Sequence, residues 1–148
     1  PQLFALFENG SIDDDLEKII YRSLCMKKDV VEKDERESGL RKILNFGHTI
    51  GHAIEGYYHM EEYLHGECVA MGMLYFIEDD ELRERTIRVL KQLNVPINAP
   101  YDKEDVYQRL LADKKAGHDG ITVVKVKTLG TAELETISYE EIKEMLKG

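Results

Sequence analysis

Residues 41–58 read RKILNFGHTIGHAIEGYY. Leu40, Ile43, Leu44, Ile50 and Ile54 recur at steps that suit one face of an α-helix, and the pattern predicts a single helix from about Glu37 to Tyr57. Gly47 and Gly51 fall inside that span. A glycine in a helix costs roughly 1 kcal/mol relative to alanine, so two of them mark a place where another backbone or a ligand comes close. Residues four apart share a helix face. His48 and His52 are therefore expected side by side, with Arg41 and Asn45 about two turns earlier. An i, i+4 histidine pair is a recognised way to hold a divalent metal. It is not the HExxH of zinc proteases, because Thr49 stands where that motif carries its glutamate base. Hydrolysis by that route is disfavoured.

Downstream, Tyr63-Leu64-His65-Gly66-Glu67 puts a third histidine at a predicted turn before a helix that starts after Gly66 and runs through Phe76. A helical hairpin would return His65 to the first two; taken alone, His65 also reads as a helix-capping residue. His59 and His118 carry no supporting pattern and read as surface residues. Cys68, Met71 and Met73 sit at helical spacing and read as core.

The flanking sequence extends the helical pattern. Residues 2–8 are apolar, Asn9-Gly10 breaks the chain, and Ser11 with Asp13, Asp14 and Asp15 marks the start of an amphipathic helix over 12–33. Further helices are predicted over 81–93, from Asp102 to Leu111, and over 139–147 after Ser138. ITVVKVK (121–127) is β-branched and alternating, and pairs with 131–137 across Leu129-Gly130. The expected fold is mainly α, one helical domain over 1–148 with a small β-hairpin near the C-terminus.

The 148 residues fit one domain with its own core. A formal charge of −9 opposes general nucleic-acid or membrane-surface binding, and no apolar run is long enough for a transmembrane helix. Cys25 and Cys68 form no CxxC and suggest a reduced, cytoplasmic protein. In so acidic a chain, Lys27, Lys28, Arg41, Lys114 and Lys115 suggest an anionic substrate near the histidines. Glu37, one turn before Arg41, reads as its ion-pair partner or as a proton relay.

DERESGLRKILNFGHTIGHAIE (34–55), followed by YLHGECVAMGM (63–73), strongly resembles the C-terminal domain of the 3-dehydroquinate synthase family. ADKK (112–115) and the hairpin with Leu129-Gly130 fit the end of that family. The resemblance covers almost the whole chain. It implies a shikimate-pathway lyase that converts 3-deoxy-D-arabino-heptulosonate 7-phosphate to 3-dehydroquinate and phosphate, with NAD⁺ and a divalent metal, zinc or cobalt. The implied sequence is transient alcohol oxidation, phosphate elimination, reduction, ring opening and aldol closure. The resemblance further implies that His48 and His65 ligate the metal, whereas His52 contacts substrate and moves protons. That assignment replaces the pairing of His48 with His52 on one metal. Lys27, Arg41 and Asn45 match substrate-binding positions, Glu37 matches an acidic active-site residue, and one of Lys114 and Lys115 matches a lysine that reaches the substrate phosphate. Arginine suits a carboxylate through its fork of donors.

The family also has an N-terminal NAD-binding, Rossmann-like domain and a glutamate metal ligand ahead of the region matching Pro1. This sequence carries neither, so it is expected to be a C-terminal fragment of a homodimeric parent, inactive alone, with an apolar face that promotes self-association and weakly anchored residues 1–10. An inosose-type sugar-phosphate cyclase and a non-enzymatic helical metal-binding domain are the alternatives.

Overall fold

The computed structural model describes residues 1–35, 39–113 and 120–148. The chain divides into two compact units, Pro1–Leu44 and Asn45–Gly148. Among the described residues no helix is long and apolar enough to cross a membrane.

The first unit is built on α1 (Gln2–Asn9) and α2 (Ile12–Lys33). Helix α2 has the predicted limits, and Asp13, Asp14 and Asp15 lie in its first turn, where negative charge complements the helix dipole. Ser11 occupies the N-cap position, yet its side chain makes no capping hydrogen bond. Ile19 is the buried residue of α2, while Leu16, Ile20, Tyr21, Leu24 and Met26 are exposed. None of the residues of α1 is buried. After α2, the buried Asp34 carboxylate accepts hydrogen bonds from the backbone N–H groups of Gly39 (2.8 Å) and Arg41 (2.9 Å), which fixes the chain where it turns into the next element.

The expected helix from Glu37 to Tyr57 is not continuous. Leu40–Asn45 forms a 3₁₀ helix, Gly47 adopts a left-handed conformation (φ 78°), and α3 begins afresh at His48 and runs to Tyr57. Arg41 and Asn45 therefore do not share a helix with His48 and His52. The physical cause is at Gly47. A φ in this range disfavours any residue with a Cβ, and a Cβ there would lie 2.6 Å from the Val69 carbonyl oxygen.

The second unit packs α3 on α4 (His65–Met73), then α5 (Asp80–Gln92), α6 (Lys103–Asp113), a hairpin of β1 (Ile121–Thr128) and β2 (Thr131–Ile137), and α7 (Tyr139–Lys147). The helix expected through Phe76 is α-helical to Met73 and tightens to a 3₁₀ turn over Leu74–Phe76. The hairpin is antiparallel, with Ile121 opposite Ile137 and Thr128 opposite Thr131, so Leu129-Gly130 forms the predicted turn. Ser138 caps α7, accepting a hydrogen bond from the Glu141 N–H, and Asp79 caps α5 in the same way from Leu82. One core joins these elements other than α5: Ile50 and Ile54 from α3, Cys68 and Met71 from α4, Phe76 from the 3₁₀ turn, Val106 and Leu110 from α6, Ile121 and Val123 from β1, Ile137 from β2, and Ile142 and Leu146 from α7. The core role read for Cys68 and Met71 matches this placement, whereas Met73 is only partly buried.

The hairpin is tied to the segment after α4 by a backbone bond from Glu78 N–H to Val126 O (2.9 Å) and by Lys125. The Lys125 ammonium lies 2.9 Å from Glu135, 3.4 Å from Glu78 and 3.8 Å from Glu141, and its side chain is only 12% exposed. Burial alone would depress this ammonium, but the bonds to Glu135 and Glu78 outweigh it and hold its proton more tightly than in the unfolded chain. A raised lysine value stabilises the fold in full below the unfolded value and loses that contribution as pH rises through the folded one. Replacing Lys125 with methionine leaves the carboxylates unneutralised and is expected to cost about 1–2 kcal/mol near neutrality. Thermal melts of both proteins should show that gap narrowing in strongly alkaline buffer.

Candidate metal centre

His48 is the first residue of α3 and His52 lies one turn on; His65 is the first residue of α4. Helix pairing brings these three rings together. Their centroids are 5.2 Å apart for His48 and His52, 5.4 Å for His48 and His65, and 5.5 Å for His52 and His65. One potential ligand atom from each lies within 4.8 Å of the others. His48 is partly buried, and His52 and His65 open to solvent.

Close helix approach makes this meeting possible. A Cβ at Gly51 would stand 2.9 Å from the Val69 Cα, and one at Gly72 would stand 2.1 Å from the Gly47 carbonyl oxygen. The glycines thus make room for the backbone of α4; of the two readings open at the sequence level, a backbone rather than a ligand occupies that space. His65 does not cap α4. Leu64 holds the cap position, and the Glu67 carboxylate accepts the Leu64 N–H at 2.8 Å.

The ring nitrogens are partly committed. His48 Nδ1 lies 3.1 Å from the Phe46 carbonyl oxygen, and His65 Nδ1 lies 3.2 and 3.3 Å from the two oxygens of Glu55. Both contacts leave Nε2 as the remaining nitrogen. A set of imidazole nitrogens, with a carbonyl behind His48 and a carboxylate behind His65, suits zinc or cobalt by donor type. Cys68 lies close in sequence but is fully buried; burial, then the charges of Glu55 and Glu67, push its thiol up, so it stays a protonated packing residue.

Beside His52, a concavity between α3 and α6 is lined by Thr49, His52, Glu55, Gly56 and Arg109. Arg109 is already engaged: it donates to Asp105 (2.7 Å) and to the Gly56 carbonyl (2.8 Å), strapping α6 to the end of α3. At the far end of α3, the buried Tyr58 hydroxyl donates to the Pro100 carbonyl.

Of the residues singled out in the sequence, the structure gathers His48, His52 and His65. Asn45 ends the 3₁₀ helix just before the Gly47 break and is exposed. Lys27, exposed on α2, and Arg41, partly buried on the 3₁₀ helix, belong to the first unit. Glu37, Lys114, Lys115 and His118 lie outside the described residues. His59 is exposed with φ 53°, away from the cluster in the turn after α3. Glu55 had no assigned role, although its position three residues after His52 and seven after His48 places it on the same helix face.

Residues 2–116 match the family model described as 3-dehydroquinate synthase C-terminal. Over 144 residues the chain is 40% identical to the 3-dehydroquinate synthase of Thermoanaerobacter pseudethanolicus, spanning 91% of this chain and 40% of that protein. The 3-dehydroquinate synthase of Clostridium acetobutylicum is 35% identical over 149 residues, with 95% and 42% covered. The chain thus spans about two-fifths of these relatives. Among solved structures, 2-deoxy-scyllo-inosose synthase complexed with carbaglucose-6-phosphate, NAD⁺ and Co²⁺ superposes with a TM-score of 0.76 at 24% identity, covering 90% of this chain and 42% of that one. The 2-epi-5-epi-valiolone synthase of Streptomyces hygroscopicus with NAD⁺ and Zn²⁺ gives 0.76 at 18% identity, covering 99% and 45%. These two likenesses bear on the fold, and they agree with the helical architecture and hairpin described above. The family model spans well over half of the chain, which therefore belongs to the 3-dehydroquinate synthase C-terminal family.

Proposed function

We propose that this chain forms the metal- and substrate-binding part of a 3-dehydroquinate synthase, a cytoplasmic enzyme that turns 3-deoxy-D-arabino-heptulosonate 7-phosphate into 3-dehydroquinate and phosphate. The observation that carries the reading is the convergence of His48, His52 and His65 from two helices onto one point. In this proposal His48 and His65 hold a divalent ion through Nε2. A zinc or cobalt ion there supplies Lewis acidity toward substrate hydroxyl and carbonyl oxygens.

The remaining roles belong to the chain's own side chains. His52, which opens to solvent, takes up and returns protons near neutral pH, a task suited to imidazole. Arg41 binds the substrate carboxylate, Asn45 and Lys27 bind other polar groups of the substrate, and Lys114 or Lys115 binds its phosphate. Glu37 takes part in proton transfer. The described residues contain no strand–glycine-turn–helix unit of the kind that binds a dinucleotide. These described residues supply no dinucleotide-binding unit, and we assign NAD⁺ binding to an additional domain of the working enzyme, which we take to be a homodimer.

The test is product formation by the full-length protein carrying this sequence, supplied with the heptulosonate phosphate, NAD⁺ and zinc or cobalt. 3-Dehydroquinate and phosphate are expected, and His48→Ala should lower turnover by at least a hundredfold. Turnover of glucose 6-phosphate with none of the heptulosonate phosphate would overturn the assignment and place the chain with the inosose-type cyclases.

A further inference from the structure

Glu55 is largely withdrawn from solvent, with a side chain 17% exposed, although its partner His65 is 53% exposed. Both of its oxygens face His65 Nδ1, at 3.2 and 3.3 Å. The two residues come from different helices, α3 and α4, whose separation is set by backbone contacts at Gly47, Gly51 and Gly72. The contact is therefore built into the helix pair rather than into two free surface side chains. His48 shows the same arrangement by other means, with the Phe46 carbonyl 3.1 Å from its Nδ1.

A neutral imidazole carries its hydrogen on one nitrogen and a lone pair on the other. A carboxylate, like a carbonyl, accepts hydrogen bonds, so a ring that faces it through Nδ1 places its hydrogen there and its lone pair on Nε2. We infer that Glu55 is a positioning residue: it holds His65 in the Nδ1–H form, with Nε2 turned to the histidine cluster as a ready metal ligand. The inference rests on the metal-centre reading for its effect on metal affinity, but its effect on the ring stands on the hydrogen bond alone. A contact this exposed on one side contributes little to stability, so a purely structural role would leave both the ring's tautomer and the metal affinity unchanged.

The test uses the 148-residue chain with Glu55→Ala and Glu55→Gln, each checked by circular dichroism for native helix content. In zinc-free protein at mildly alkaline pH, ¹⁵N spectra of the imidazoles read the tautomer directly. Wild type is expected to show His65 as Nδ1–H. Glu55→Ala should move His65 toward Nε2–H while His48, held by its carbonyl, stays put. Glu55→Gln, whose amide oxygen still accepts, should keep the wild-type form. Chelator competition with zinc alone should show a 10- to 100-fold loss of affinity for Glu55→Ala and a smaller loss for Glu55→Gln. An unchanged His65 tautomer in folded Glu55→Ala overturns the inference. Equal zinc affinity of wild type and His48→Ala would sink the metal-centre reading instead, and the tautomer result would still decide the role of Glu55.

Discussion

Gly72→Ala is expected to destabilise the chain by about 3 kcal/mol or more, near the upper end for overpacked sites, and to disperse the histidine cluster. The added Cβ would stand 2.1 Å from the Gly47 carbonyl oxygen and 2.7 Å from the Gly51 nitrogen. Both are backbone atoms, so no side chain can swing aside to relieve the overlap. Relief requires α3 and α4 to separate, and that movement carries His65 away from His48 and His52. For a chain of this size the loss corresponds to a drop in melting temperature of roughly 6–12 °C. Gly66→Ala is the control. A Cβ there meets nothing within 4 Å, so that substitution should leave stability unchanged or raise it by up to about 1 kcal/mol through reduced chain entropy. Melting curves of the two variants decide the matter. A Gly72→Ala protein as stable as wild type would mean that the helices are not in the close contact described.

That contact also explains where sequence reading stopped short. The period of Ile50 and Ile54 placed the C-terminal end of α3, while the helix read over 81–93, the cap at Ser138 and the alternation in 121–127 are local signals that lie within a few residues of α5, α7 and the hairpin. The break at Gly47 is not local. Leu40, Ile43 and Leu44 continue the helical period up to it, and only Val69 and Met73, more than twenty positions away in the chain, explain why the backbone turns left-handed there. The division of the helix into a 3₁₀ turn and α3 follows from tertiary packing and carries no mark in the hydrophobic pattern.

The histidines were legible because their type and spacing are rare, and because His65 returns in a short helical hairpin. Glu55 was legible in principle, since it shares the face of His48 and His52. Acidic residues are nevertheless so frequent in this chain of 29 Asp and Glu that position alone singles out none of them. What distinguishes Glu55 is its withdrawal from solvent opposite His65, a property of the folded helix pair.

Zinc affinity separates the roles of the three rings. His48→Ala and His65→Ala are each expected to weaken zinc binding by roughly 100-fold or more. A structural zinc site gathers about 10–16 kcal/mol from its whole ligand set, so one nitrogen accounts for roughly 3 kcal/mol, and each 1.4 kcal/mol is a factor of ten. His52→Ala should weaken binding less than tenfold while abolishing turnover in the full-length enzyme, because its proposed part is proton transfer. The comparison is informative because the geometry treats the three rings almost alike, with centroid separations that differ by only a few tenths of an ångström. The Phe46 carbonyl and the Glu55 carboxylate stand behind the Nδ1 atoms of His48 and His65, an arrangement that fixes ring orientation and raises ligand basicity. A loss for His52→Ala as large as for the other two would show that all three imidazoles hold the ion in this chain. Proton transfer would then have to pass to another group, and Glu37 and the lysines of 112–115 would become the next residues to replace.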